Sequence, residues 1–194
     1  MYKDLMQDSR VLENLISWKI KVPLKIKIFL WYLKKGVILT KDNLAKRNWK
    51  GDKKCCFCNN DESIQHLFFE CHVAKFVWNV VFVTFGIVPP SSITNMLGTW
   101  LRGFNLRSRK LLLIGATAMC WAIWLSRNEV VFKQNKTNSY LQVLFRVTYW
   151  ARFWSQLSEA EAMQLIKSNC QRLEGVIMEL YNRRGWNFRS RIEQ

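Results

Sequence analysis

Four of the chain's six cysteines and both of its histidines fall within one short window, KKCCFCNNDESIQHLFFECH, residues 53–72. Inside it the spacing Cys55-x2-Cys58-x7-His66-x4-Cys71 has a chemical meaning. A Cys-x2-Cys turn lets two thiolates grip one face of a metal ion, and a second pair further along completes a tetrahedron. Three sulfurs and one imidazole nitrogen suit the borderline-soft Zn²⁺. Four protein ligands leave no open coordination position, so such a site holds structure and does not catalyse. Two alternatives stand beside zinc: a disulfide pair, or ordinary buried thiols next to stray histidines. Cys71 lies on an apolar stripe and suits the buried-thiol reading, whereas Cys55 and Cys58 sit in a polar turn where burial is not expected. Cys56 and His72 are the spare candidates, His72 as a surface residue. Cys120 and Cys170 fall in helical patterns and read as core.

The same inventory argues against an enzyme. With both histidines inside the cysteine window, no Ser-His-Asp or Cys-His arrangement exists elsewhere in the sequence. No Tyr-x-Asp-Asp tetrapeptide, carboxylate cluster or Gly-rich phosphate loop occurs.

The elements that must position the window read as helices. Residues 5–18 carry apolar residues near helical spacing. After Pro23, Ile26, Ile28, Phe29, Leu30, Trp31 and Leu33 fit alternation and helical spacing alike. Gly36 as a C-cap, with Lys34 and Lys35 in the last turn, favours helix. Thr40 reads as the N-cap of a short helix, and Asp61 or Ser63 as the cap of the helix holding Ile64, Leu67, Phe68 and Cys71. That helix resumes through Ala74, Val77, Trp78 and Val81 after a break near Cys71. Pro89, Pro90, Ser91 and Ser92 mark a linker. A short helix over 93–101 and long ones over 108–135, 139–157 and 159–182 follow, the last capped by Ser158, with a frayed tail. The expected fold class is therefore mainly α: a small Cys3His zinc-binding subdomain (1–88), a linker (89–92) and a helical C-terminal region (93–194).

Thirty Lys and Arg against fourteen Asp and Glu give a net charge of +16, a field that attracts polyanions. The excess is uneven: residues 1–54 carry net +9 and residues 101–156 net +8, flanking a nearly neutral segment with the cysteines. The N-terminus is polar and shows no secretory signal. The apolar run 111–125 is shorter than the roughly 20 residues that span a bilayer and has cations on both sides, so it reads as a buried core helix. The expectation is an intracellular protein, nuclear or cytoplasmic, with no membrane partner, in a compartment that disfavours disulfides.

Several stretches resemble the reverse-transcriptase zinc-binding domain at the C-terminal end of plant non-LTR (LINE-type) retrotransposon polyproteins. These are Pro23, Lys25, Lys27, Phe29 and Trp31; Thr40 and Leu44; Cys55 and Cys58; then Glu62, Ser63, His66, Leu67, Phe68, Cys71 and Trp78. WAIWLSRNEVVF, residues 121–132, is similar to a Trp-x-x-Trp-x-x-Arg-Asn stretch that follows in such polyproteins. The resemblance implies Zn²⁺ held by Cys55, Cys58, His66 and Cys71, and a chain resembling a detached piece of a larger polymerase. One departure is His72, where the family often has proline.

Charge and resemblance together lead to a non-catalytic, zinc-stabilised module that binds RNA or DNA. Lys25, Lys27, Lys34, Lys35, Lys46, Arg47, Lys50, Lys53 and Lys54 would supply the phosphate contacts, which position without reading sequence. The interleaved Trp18, Trp31, Tyr32 and Trp49 follow the apolar periodicity and are expected in the core. The alternative is a docking module for a polymerase domain or another protein partner, without nucleic-acid contact. Arg127 and Asn128 fit either a contact or a structural pair at a helix end.

Overall fold

A computed structural model describes residues 19–133 and 139–184. The helix expected over 5–18, Trp18 and the tail from 185 lie outside the described residues. Among those described the chain is helical, apart from one isolated antiparallel bridge between Lys54 and Asp61.

Helix α1, Leu24–Lys35, resolves the helix-or-strand ambiguity in favour of helix. Its buried residues are Ile26, Phe29, Leu30 and Leu33, the i, i+3, i+4, i+7 stripe of one helical face. Gly36 ends it at φ 70°, where the Gly36 and Val37 amides donate to the carbonyls of Leu33 and Tyr32. This paired closure needs a left-handed residue, which glycine adopts without Cβ strain. Trp31, Tyr32 and Trp49, expected in the core, are 44 %, 45 % and 41 % exposed. Trp31 and Tyr32 are apolar in type but fall off the α1 stripe, and Trp49 follows a turn rather than a helical face.

Helix α2, Lys41–Ala45, begins after Thr40 as expected, but the Thr40 hydroxyl donates to Asp42 and Ile38 instead of capping an amide. The cysteine turn leads to a π-helical turn, His66–Glu70, and then to α3, His72–Phe85. Helix α4, Ile93–Leu97, is capped by the Ser92 hydroxyl and runs into a 3₁₀ turn, Thr99–Leu101. Three long helices complete the described residues: α5, Leu106–Lys133; α6, Tyr140–Ser155; and α7, Ala160–Arg184. Ser139 and Gln142 form a reciprocal capping box on α6 that the sequence reading overlooked. Helix α7 starts two residues after Ser158, so Glu159 precedes its first turn and accepts from the Met163 amide.

Helix α5 is central: α1, α3, α4 and α6 pack against it, and α6 packs on α7. Its length and composition would allow it to cross a membrane, yet 61 % of its apolar window is buried by the rest of the protein, as in a core helix. Phe29 of α1 meets the rings of Trp121 and Trp124 of α5 at 5.0 and 6.4 Å. Between α3 and α4, Pro90 is buried and the Ser91 carbonyl accepts from Gln65 Nε2 at 2.8 Å. Apolar residues on both sides of 89–92 belong to one core cluster.

The firmest polar tie is buried. Arg127 of α5 forks onto Glu62, its Nη2 donating to Oε1 at 2.7 Å and its Nε to Oε2 at 3.2 Å. The two side chains are 2 % and 0 % exposed. Glu62 Oε1 also accepts from the Lys41 backbone amide at 2.9 Å, and Arg127 Nη1 donates to Asn128 Oδ1 at 3.0 Å. Arg127 and Asn128 are thus a structural pair. At the other end, Arg152 of α6 forks onto Glu174 of α7, which holds the Glu174 carboxyl below its ordinary range.

Removing one member of a buried pair leaves an uncompensated charge, at a cost of about 3–5 kcal/mol. Arg127→Met is expected to lose stability of that size in urea denaturation, and Glu62→Gln added to it to recover part. A loss below about 1 kcal/mol for the single variant would contradict this role.

Candidate metal centre

The ligand loop is built by a short hairpin. The Glu62 amide donates to the Lys53 carbonyl at 2.9 Å and the Cys55 amide to the Asn60 carbonyl at 2.8 Å, with Lys54 Nζ on Asp61 at 2.9 Å outside. Within it, the Cys58 amide turns back to the Cys55 carbonyl at 3.3 Å, which brings the two sulfurs to one side.

The second ligand pair depends on an irregular turn. Ser63 starts it, its hydroxyl accepting from the His66 amide at 3.0 Å. His66 and Cys71 are five residues apart, which in an α-helix would point them about 140° from each other. Instead the Cys71 amide reaches the His66 carbonyl at 2.7 Å, an i→i+5 bond. The wider π winding, a form that recurs at functional sites, swings both ligands to the same side. Cys71 then breaks the helix (ψ 142°), matching the expected interruption, and α3 restarts. Trp78 steadies this turn by donating Nε1–H to the Phe68 carbonyl at 2.9 Å while its ring stacks on Phe69.

The ligand atoms of Cys55, Cys58, His66 and Cys71 all lie within 4.8 Å of one another. Cys55 Sγ is 4.0 Å from Cys71 Sγ, and Cys58 Sγ is 3.1 Å from His66 Nε2. Zn–S bonds of 2.3 Å at a tetrahedral angle put two sulfurs about 3.8 Å apart, so the cluster fits zinc. The protons point the same way. Hydrogen bonds from Cys56 and Cys71 hold the Cys55 thiol far below its ordinary range. The Cys55 thiolate and burial push Cys56 and Cys71 far above theirs, and burial raises Cys58. A divalent cation lets all three ionise, with proton release on binding. None of the six cysteines is in a disulfide.

Two expectations need correction. Cys55 is buried despite its polar turn, because α5 covers the loop and the Cys56 thiol sits 4.0 Å from the Arg127 carbonyl. His72 is half-buried rather than fully exposed: its Nε2 is buried, without a hydrogen-bond partner among the described residues, and its ring lies 5.8 Å from Tyr140. Burial lowers its pKa. Neither Cys56 nor His72 is in the ligand cluster. Cys120 and Cys170 are core, as expected, and burial pushes their thiols up to about 12 and about 11.

The basic residues singled out in the sequence lie in two groups. Lys25, Lys27, Lys34 and Lys35 are on α1, exposed except for the half-buried Lys27; Lys46, Arg47, Lys50, Lys53 and Lys54 are exposed between α2 and the cysteine turn. Some have partners: Lys46 contacts Asp42 and Asn43, Lys54 pairs with Asp61, Lys35 lies over Trp31 and Lys25 over Trp150. Lys41, basic by type, is almost buried and donates to the Lys54 carbonyl as a structural strut.

Residues 1–78 match a protein family described as zinc-binding in reverse transcriptase. The match contains all four clustered ligands and ends at Trp78, so this part of the chain is a zinc-binding domain of the reverse-transcriptase type. No curated protein and no solved structure matches. No catalytic domain is among the matches.

Purified protein is expected to carry one zinc per chain. Chelation or Cys58→Ser should remove it together with part of the helical circular dichroism; full helicity without metal would show that zinc does not support the fold. A thiol raised to about 12 is thiolate at roughly one part in ten thousand near pH 8. Alkylation of the zinc-loaded protein should therefore spare Cys120 and Cys170, and mass mapping that finds either labelled before unfolding would contradict their burial.

Proposed function

We infer that this protein is a non-catalytic, zinc-stabilised module derived from a retrotransposon reverse transcriptase, and that it binds RNA or DNA through its basic surface. The observation that carries this reading is α1, with four lysines and no carboxylate, followed along the chain by the exposed Lys46, Arg47, Lys50, Lys53 and Lys54. Exposed cations attract a polyanion through counterion release, whatever its sequence. The exposure of Trp31, Tyr32 and Trp49 beside them adds flat surfaces on which unpaired bases can stack. Four protein ligands saturate zinc, so the metal supports shape and not reaction. The plant LINE-type origin rests on the sequence resemblance, and an intracellular setting, nuclear or cytoplasmic, goes with both origin and ligand.

A specific observation favours the alternative of docking to a polymerase domain or other protein. Phe82, Val83 and Val88, around the end of α3, are 46 %, 62 % and 67 % exposed. Such apolar exposure marks contact surfaces when it is contiguous.

Binding of an oligonucleotide measured against salt separates the two. If the lysines touch phosphates, log K falls with log salt at a slope of about −0.7 to −0.9 per contact, so about −4 for five contacts. Replacing Lys34 and Lys35 by Ala should flatten the slope by one to two. A flat slope for the unaltered protein would overturn the reading.

A further inference from the structure

The outer face of α6 is apolar where a solvated helix face carries charge. Phe145, Tyr149 and Phe153 recur at i, i+4 and i+8 and are 41 %, 57 % and 48 % exposed. They are not surplus core: α6 already buries Val143, Leu144, Val147, Thr148, Ala151, Trp154 and Ser155 on its opposite side. The rings of Tyr149 and Phe153 are parallel to within 8°, with centroids 6.3 Å apart. Trp150 joins them, edge-on to Tyr149 at 5.1 Å and to Phe153 at 5.9 Å.

A cation stands at this array. Lys25 Nζ lies 5.8 Å over the Trp150 ring, which ties the face to α1. On α1, Tyr32 lies seven residues from Lys25, on the same side and about 10 Å along the axis. Trp31 beside it is in ring contact with Tyr32 and under the Lys35 ammonium. Neither α1 nor α6 contains a carboxylate. The two arginines of α6 are turned inward, Arg146 to Glu129 and Arg152 to Glu174, so they stitch helices together and leave the outer face to the rings. Aromatic faces in a row, flanked by lysines and free of acid, complement the two parts of an unpaired nucleotide, the flat base and the anionic phosphate.

We propose that Tyr149, Trp150 and Phe153 of α6, with Lys25 of α1, form a stacking platform for single-stranded nucleic acid. This rests on the nucleic-acid reading above and deepens it: the preferred ligand is an unpaired strand, and the stacking rings lie outside residues 1–78, the part with a family match. A duplex hides its base faces and gains nothing from the rings, whereas a single strand gains at each stacked base.

The test uses the full zinc-loaded chain with fluorescent oligothymidylate of about 20 nucleotides, beside a duplex of equal length. The unaltered protein should bind the single strand more tightly. Tyr149→Ala with Phe153→Ala should weaken single-strand binding about tenfold or more, with duplex binding and salt slope unchanged. Helical signal and zinc content check the fold of the variant. As a measurement on the unaltered chain, photocrosslinking of a bromouracil-substituted strand should map to the peptide holding Tyr149 and Phe153. Unchanged single-strand affinity in a folded variant, or crosslinks confined to residues 19–54, would overturn the platform and leave the basic-surface reading standing. Binding of neither strand would overturn both. A chain that self-associates through these rings, with the variant monomeric and its single-strand affinity intact, would overturn the platform in favour of a protein interface.

Discussion

The buried fork of Arg127 on Glu62 is the constraint around which the other parts arrange themselves. Two charges taken out of water are costly, and their attraction compensates only when every donor and acceptor is used well. Here the carboxylate receives two guanidinium hydrogen bonds and the Lys41 amide, while the guanidinium also reaches Asn128 and lies over Trp124. Glu62 stands between Cys58 and His66 in the chain, and its backbone closes the cysteine hairpin. One residue thus fixes the metal loop to α2 and to the central helix α5.

Metal and ion pair divide the work. A thiol-rich turn has little apolar surface of its own, so a cation supplies the cohesion, with apparent energies on the order of 10–16 kcal/mol in small zinc modules. The ion together with the π-helical turn sets the local shape, since His66 and Cys71 reach the same point only through the i→i+5 bond. Arg127 then decides where that local shape sits. The helix that carries it covers the loop and leaves Cys55 buried in a polar stretch, while the raised thiol of Cys56 comes from the Cys55 thiolate beside it and from burial.

With the zinc saturated by protein and the arginines of α6 paired to Glu129 and Glu174, the chemistry left for partners is on the surface. It consists of unbalanced lysines and half-exposed rings. Their conjunction, with Lys25 over Trp150 and Lys35 over Trp31, gives the surface its proposed partner class. An apolar face without cations would suit a protein, and cations without rings any polyanion.

Much of the site was legible in the chain itself. Ligand spacing is a local property, so Cys55, Cys58, His66 and Cys71 could be named together before any fold was known, and so could the Gly36 stop, the break at Cys71 and the core helix α5. Residue type and period carry that information because turns, caps and faces are decided within a few neighbours. The surroundings of those elements were not legible. Trp31 and Tyr32 fit an apolar rhythm until the true face of α1 was set by Phe29 against Trp121, and the half-burial of His72 came only with Tyr140 beside it. Arg127 and Glu62 are 65 positions apart, and no periodicity links them. Which polar side chain is buried, and which ring is left in water, follows from how whole helices pack, and only the tertiary structure decides it.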